Sequence, residues 1–159
     1  MRVLGIDPGN SITGYGIVEK QKSSIYYVHH GEVKIAKGTP LSSCLVTLYD
    51  NLRIIIDQSA PDAIAIEDIF YGKNIKSLMR QSEARGVIIL AGSHSRLPIY
   101  EYTPLEIKKA VVGYGRAEKN QVQNMVKAIL HLSTLPPVDA ADALAVAICH
   151  VNFLKTLSI

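Results

Sequence analysis

Cysteine is scarce in this 159-residue sequence, with Cys44 and Cys149 the only two. Two cysteines so far apart make neither a disulfide scaffold nor a zinc ribbon. Both are expected to be buried, reduced thiols of a cytosolic protein. Long apolar runs are missing too. No stretch of about 18 apolar residues occurs, which excludes a membrane-spanning helix. Met1 leads straight into Arg-Val-Leu-Gly-Ile-Asp, the pattern of a strand rather than of a cleavable signal. Internal repeats, low-complexity tracts and linkers are absent. With 48% hydrophobic and 19% charged residues, the composition is that of a soluble globular chain. The length suits one domain at roughly 150 residues each, so residues 1–159 are expected to form a single domain.

Two common catalytic signatures are absent as well. There is no Gly-x-x-x-x-Gly-Lys-Ser/Thr loop for a nucleotide phosphate chain, and no Gly-x-Ser-x-Gly nucleophile elbow. Asp7-Pro-Gly-Asn-Ser-Ile-Thr-Gly-Tyr-Gly is similar to the first phosphate loop of actin-like and sugar-kinase ATPases. Those folds need two such domains, and this chain is about half their length. His29 and His30 adjoin each other on an expected strand and so point to opposite faces, which disfavours shared metal ligation. His150, more than two turns beyond Asp142 on the last helix, reads as structural.

What the sequence does have is an uneven charge. Between Tyr71 and Lys127 it places ten Lys and Arg against four Glu and no Asp, whereas the rest has seven basic against ten acidic residues. A basic middle in an otherwise acidic chain suggests a surface for a polyanion, although solvated helix faces would give the same count.

The hydrophobic pattern sets the order of elements. Arg2–Asp7, Gly14–Lys20 and Ser24–Lys37 read as three strands, the last two separated by a polar turn, and so as an antiparallel meander. Leu41, Leu45, Leu48, Leu52, Ile55 and Ile56 then recur at helical spacing. Thr39 is expected to cap that helix, with Pro40 at its first position. Asp62–Glu67 suits a strand buried on both faces. Asn74–His94 reads as helix and Leu97–Tyr102 as strand. Thr103-Pro-Leu-Glu106 is a capping box opening a helix that ends near Val112. Gly113–Arg116 is a glycine-bearing loop, Glu118–Leu130 is helical, and Asp139–Leu157 is a final helix. Strand–helix–strand units imply parallel pairing after the meander, with helices on both faces.

Four acids stand where acids are expensive. Asp7 ends the first strand and Glu67 the fourth, while Asp139 and Asp142 are the only acids of the last helix and share one of its faces. If the first and fourth strands are parallel neighbours, Asp7 and Glu67 emerge at one sheet edge, where the last helix could bring its pair. Such a cluster needs compensating cations. All-oxygen ligands favour Mg²⁺ or Mn²⁺, and two such ions support phosphodiester hydrolysis. Each acid also has a plain alternative: a turn Asp, a solvated strand end, or favourable charge at a helix N-terminus.

Four stretches in this order resemble the RuvC-type crossover junction endodeoxyribonucleases, the bacterial Holliday junction resolvases: Gly5-Ile-Asp-Pro-Gly, Ile66-Glu-Asp-Ile-Phe-Tyr-Gly-Lys-Asn, Val111-Val-Gly-Tyr-Gly-Arg-Ala-Glu-Lys-Asn-Gln-Val-Gln and Asp139-Ala-Ala-Asp-Ala-Leu-Ala. The resemblance covers nearly the whole chain. It implies a ribonuclease-H-like mixed five-stranded sheet flanked by helices, a Mg²⁺-dependent nuclease, a homodimer acting on four-way junction DNA, and contact with a branch-migration complex. It also implies that Asp7, Glu67, Asp139 and Asp142 are the catalytic, metal-binding carboxylates. Mg²⁺ is expected as two ions per site, with Mn²⁺ able to substitute. By the same resemblance Phe70 stacks on bases near the branch point, and Lys108 and Lys119 contact DNA near the cut. From pattern alone Phe70 reads as core and the two lysines as solvated.

The chain departs from the family pattern at Arg80-Gln-Ser-Glu-Ala-Arg-Gly, where Glu83 adds an acid, and at Asp68 after the catalytic Glu. A dimer interface is expected on the Asn74–His94 helix through Ile75, Leu78 and Met79, residues that core packing would equally explain. Two other readings stay open: a ribonuclease-H-like nuclease for hybrids or linear duplex, and a junction-binding protein without chemistry.

Overall fold

The computed structural model of the protein describes residues 1–69 and 74–156, with side chains to residue 153. Its strands are β1 (Arg2–Asp7), β2 (Ile12–Gln21), β3 (Ser24–Lys34), β4 (Ala63–Glu67) and β5 (Ile99–Tyr102). Its helices are α1 (Leu41–Ser59), α2 (Ile75–His94), α3 (Pro104–Val112), α4 (Lys119–Ile129) and α5 (Val138–Thr156). One sheet runs β3-β2-β1-β4-β5. The pairs β1–β2 and β2–β3 are antiparallel, and β1–β4 and β4–β5 are parallel. This is the expected meander followed by crossovers. Lys22, at φ 54°, turns the chain between β2 and β3. A parallel return from β3 to β4 needs a long connection, which α1 supplies.

The alternation of β1 explains its apolar run. Leu4 and Ile6 face α1 and α2, where Leu48, Leu52, Ile56, Ala84 and Ile88 close one core. Val3 faces the other way, into a second core made with α3, α4 and α5. The strand is therefore buried on both sides, as is β4. The middle of helix α5 is enclosed on every side, Leu144 to Val151 being buried throughout.

Small residues let α5 sit directly on the sheet. A Cβ at Gly5 would stand 2.1 Å from the Ala143 carbonyl oxygen, and one at Gly14 would stand 2.0 Å from that of Asp139. The facing helix residues Ala140 and Ala143 are fully buried. Helix backbone thus meets strand backbone, and the start of α5 is drawn over the sheet beside Asp7.

Several boundaries differ from the sequence pattern: β2 opens two residues early, at Ile12, and β5 two residues late, at Ile99. Thr39 does not cap α1. Pro40 holds the cap position at φ −56°, ψ 145°, without a side-chain cap. The Thr39 hydroxyl instead donates to the Ala36 carbonyl at 2.7 Å, closing the preceding turn. That same turn ends β3 at Lys34 rather than Lys37. The capping box of α3 forms as expected, with Pro104 opening the helix and Gly113 ending it at φ 94°.

His150 is structural, as its position suggested. It is 1% exposed, and its Nδ1 is hydrogen-bonded to the Tyr102 hydroxyl at 2.7 Å, tying α5 to β5. Its Nε2 finds no partner among the described residues. Burial pushes its pKa below the ordinary 6.5, so the fold holds it neutral. Protonation then favours the unfolded chain, and this part of the stability is lost as pH falls through about 6.5 and below. Thermal melts at pH 7.5 and 5 should show a larger drop for the native protein than for His150→Asn, whose side-chain oxygen can still accept from Tyr102. Equal drops would remove His150 as the cause.

Candidate active site

Strand register brings the first two acids together. Ile6 pairs with Ile66 in the parallel β1–β4 ladder, and Asp7 and Glu67 follow them as the last residues of their strands. The seating of α5 on Gly5 and Gly14 adds the other two from the helix's first turns. Asp7, Glu67, Asp139 and Asp142 all line one cavity of about 410 Å³. Lys108 from α3 and Lys119, the first residue of α4, line the same cavity, Lys119 beside Asp142. Six of the seven expected site residues therefore share one cavity. The seventh, Phe70, lies outside the described residues.

The cavity is electrostatically strained. Burial, then the charges of Glu67, Asp142 and Asp139, pushes the Asp7 carboxyl up to about 8. Burial and Asp142 also raise Glu67, against a downward pull from its hydrogen bond with Asp7 and from Lys119 and Lys108. Burial and mutual repulsion favour one proton shared by this pair over two bare carboxylates. Asp142 is raised by burial even though the Lys119 ammonium lies 3.2 Å away. The lysine side chain is 75% exposed and the aspartate 18%, so solvent weakens the compensation. Lys119 in turn is held above its ordinary value, chiefly by Asp142.

The donor set suits a hard divalent cation. Four carboxylates on three different elements offer only oxygen. A proton and Lys119 now ease a repulsion that divalent cations would remove. Among the described residues, no three His, Cys, Asp or Glu side chains already stand close enough to enclose an ion.

Pattern reading misses other residues on the cavity wall. Gln81 of α2 reaches it, and one polar residue in a helix of mixed composition carries no signal of that. Asp68 also lines it; its amide donates to the Tyr102 carbonyl at 2.8 Å, fixing the turn after Glu67. Glu83 stays away from the acids, 3.8 Å from Arg80 on the same helix. Ile75 and Met79 are exposed, at 72% and 59%, while Leu78 is half-buried.

The sequence model of the family described as crossover junction endodeoxyribonuclease RuvC matches residues 3–150. The chain belongs to the RuvC family. Among curated RuvC proteins, that of Caldanaerobacter subterraneus subsp. tengcongensis is 51% identical over 153 residues, covering 96% of this chain and 93% of its own. That of Syntrophotalea carbinolica is 49% identical over 152 residues, covering 96% and 94%. The fold is similar to that of Thermus thermophilus RuvC in complex with Holliday junction substrate, with a TM-score of 0.93, 29% identity, and coverage of 99% and 97%. The yeast mitochondrial Holliday junction resolvase Ydc2 shares the fold at a TM-score of 0.70 and 13% identity. The ribonuclease-H-like architecture expected from the sequence is thus the RuvC fold. No helix among the described residues is long and apolar enough to cross a membrane.

Proposed function

We propose that this RuvC-family protein resolves four-way DNA junctions by metal-dependent hydrolysis of a phosphodiester in each of two strands. The observation that carries the reading is the meeting of Asp7, Glu67, Asp139 and Asp142 in one cavity together with Lys108 and Lys119. Asp7, Glu67, Asp139 and Asp142 would hold two Mg²⁺, with Mn²⁺ as a substitute. Bound divalent ions supply Lewis acidity and charge neutralisation at the reacting phosphate. The residues themselves do the rest. Asp7 and Glu67 give up their shared proton when the site is charged. The ends of β1 and β4 fix the carboxylate spacing. Lys119 and Lys108 offer positive charge to the phosphate and to the charge that develops as the 3′ oxygen leaves.

Phe70 comes shortly after Glu67 in the sequence and would stack on an unpaired base near the branch point, an interaction of about 1–3 kcal/mol. Replacing Lys108 or Lys119 by Ala should lower the salt slope of metal-free junction binding by about 0.9 for each phosphate no longer neutralised. Phe70→Ala should slow cleavage and leave that slope unchanged, because stacking releases few counterions. An unchanged slope in both lysine variants would remove them from the phosphate path.

A two-fold homodimer completes the reading. One set of four acids makes one site, and two nicks related by a two-fold axis need two sites. Exposed Ile75, Met79 and Leu90 supply apolar surface along α2 for a second copy. A branch-migration complex as partner and a cytoplasmic location fit the same role.

The deciding experiment compares cleavage of a synthetic four-way junction, a linear duplex and an RNA–DNA hybrid, each with Mg²⁺ and with chelator. Cleavage of the junction alone, with Mg²⁺ alone, is expected. Preferred cleavage of the hybrid or duplex would replace the substrate, and junction binding without any cleavage would leave only a binding protein.

A further inference from the structure

A second cavity of about 500 Å³ adjoins the catalytic one on the α1–α2 side of the sheet, and Gly9 lines both. Asn10 lines the second cavity, and its side-chain amide donates to the Ser77 hydroxyl at 2.6 Å, tying the loop after Asp7 to the first turn of α2. The two cavities differ sharply in charge. The catalytic one is lined by five acids and two lysines. The second is lined by Lys37, Lys76 and Arg80 and by no acid among the described residues. Among the described residues the ion-pair partner of Arg80 is Glu83, at a loose 3.8 Å. The floor between these cations is apolar, formed by side chains such as Leu45, Leu48 and Ala84.

A DNA strand whose phosphate enters an acidic site is repelled there until cations neutralise the acids, so its affinity must come from neighbouring phosphates. Along the shared Gly9 edge, the cations available to them are those of the second cavity. We infer that this cavity holds the strand beside the scissile phosphate. Lys37, Lys76 and Arg80 take its flanking phosphates, and the apolar floor takes a sugar or unstacked base. The inference rests on the junction-cleaving reading and extends its substrate path by one subsite.

The test is metal-free binding of a synthetic four-way junction across a salt series, with the scissile phosphate first mapped by native cleavage. The variants are Lys37→Ala, Lys76→Ala and Arg80→Ala, alone and together, with Lys22→Ala as a distant control. Each cavity variant should lower the salt slope by about 0.7–0.9 for a full phosphate contact, and the control should not. Neutral methylphosphonate linkages one to three phosphates from the cut should weaken binding by the native protein and have little further effect on the triple variant. Slopes equal to native, or full additivity of the two changes, would overturn the inference while leaving junction cleavage intact. A native protein that neither prefers nor cuts the junction would overturn the reading beneath it, and the inference with it. The three side chains are solvent-exposed, and unchanged thermal melting of the variants excludes misfolding as the cause of a lowered slope.

Discussion

Asp7→Asn is expected to abolish junction cleavage and at the same time to stabilise the metal-free protein. The two effects share one cause. Asp7 is half-buried beside Glu67 and Asp142, and its carboxyl is pushed up to about 8. For an acid raised above its unfolded value of 3.8, folding stability is lost as pH climbs from that value towards about 8. Asparagine keeps the shape and removes the charge, so near pH 8 the variant should melt higher than the native protein in chelator. Every tenfold weakening of an acid on folding corresponds to about 1.4 kcal/mol, and sharing of the proton with Glu67 makes the gain smaller than the Asp7 shift alone would give. Divalent cations, which replace the proton, should bind more tightly as pH rises and release protons on binding. Cleavage should fall by orders of magnitude, because a two-metal site fails when either ion is misplaced. Glu67→Gln, Asp139→Asn and Asp142→Asn should show the same loss of cleavage while junction binding survives. Gel-based cleavage and chelator melts check both sides. Near-native cleavage by any one variant removes that residue from the site.

The second large effect comes from residues with no side chain. Gly5→Ala and Gly14→Ala should each damage the site without touching a carboxylate. The added methyl would meet the backbone oxygens of Ala143 and Asp139 at 2.1 and 2.0 Å, and a helix backbone cannot rotate aside as a side chain can. Helix α5 must lift from the sheet, carrying Asp139 and Asp142 away from Asp7 and Glu67. Overpacking of this kind costs about 1–3 kcal/mol, and a misplacement of about 1 Å in a catalytic group costs roughly 10²-fold in rate. Lower melting temperatures with strongly reduced cleavage are expected. Native values of both would show that α5 is not seated as described.

These glycines also mark how far the sequence can be read. Asp7 and Glu67 are legible because each ends a short apolar strand, and Asp139 and Asp142 because they are the only acids in an apolar helix. The convergence of Asp7 with Glu67 needs only parallel pairing of β1 with β4. The tight contact that brings Asp139 and Asp142 to them, Gly5 and Gly14 against the α5 backbone at Ala143 and Asp139, has no signature in periodicity, since it depends on two backbones meeting across the sheet. The cap of α1 falls one residue later than the pattern predicts for a local reason, the Thr39 hydroxyl being used in the turn before it. Gln81 and the second cavity are invisible in the sequence because their residues come from separate loops and helices whose meeting only the fold decides. Lys108 and Lys119 look solvated in sequence, and it is the cavity they line that distinguishes them from other surface lysines.

Paired incision by two equivalent sites is best tested on a supercoiled plasmid carrying a cruciform, with Mg²⁺ and at limiting protein. Two carboxylate sites in a two-fold dimer should nick two strands within one binding event and yield mainly linear DNA. Light scattering on the same preparation should give about twice the monomer mass. Nicked circles that accumulate before any linear product, from a protein that scatters as a monomer, would contradict paired incision.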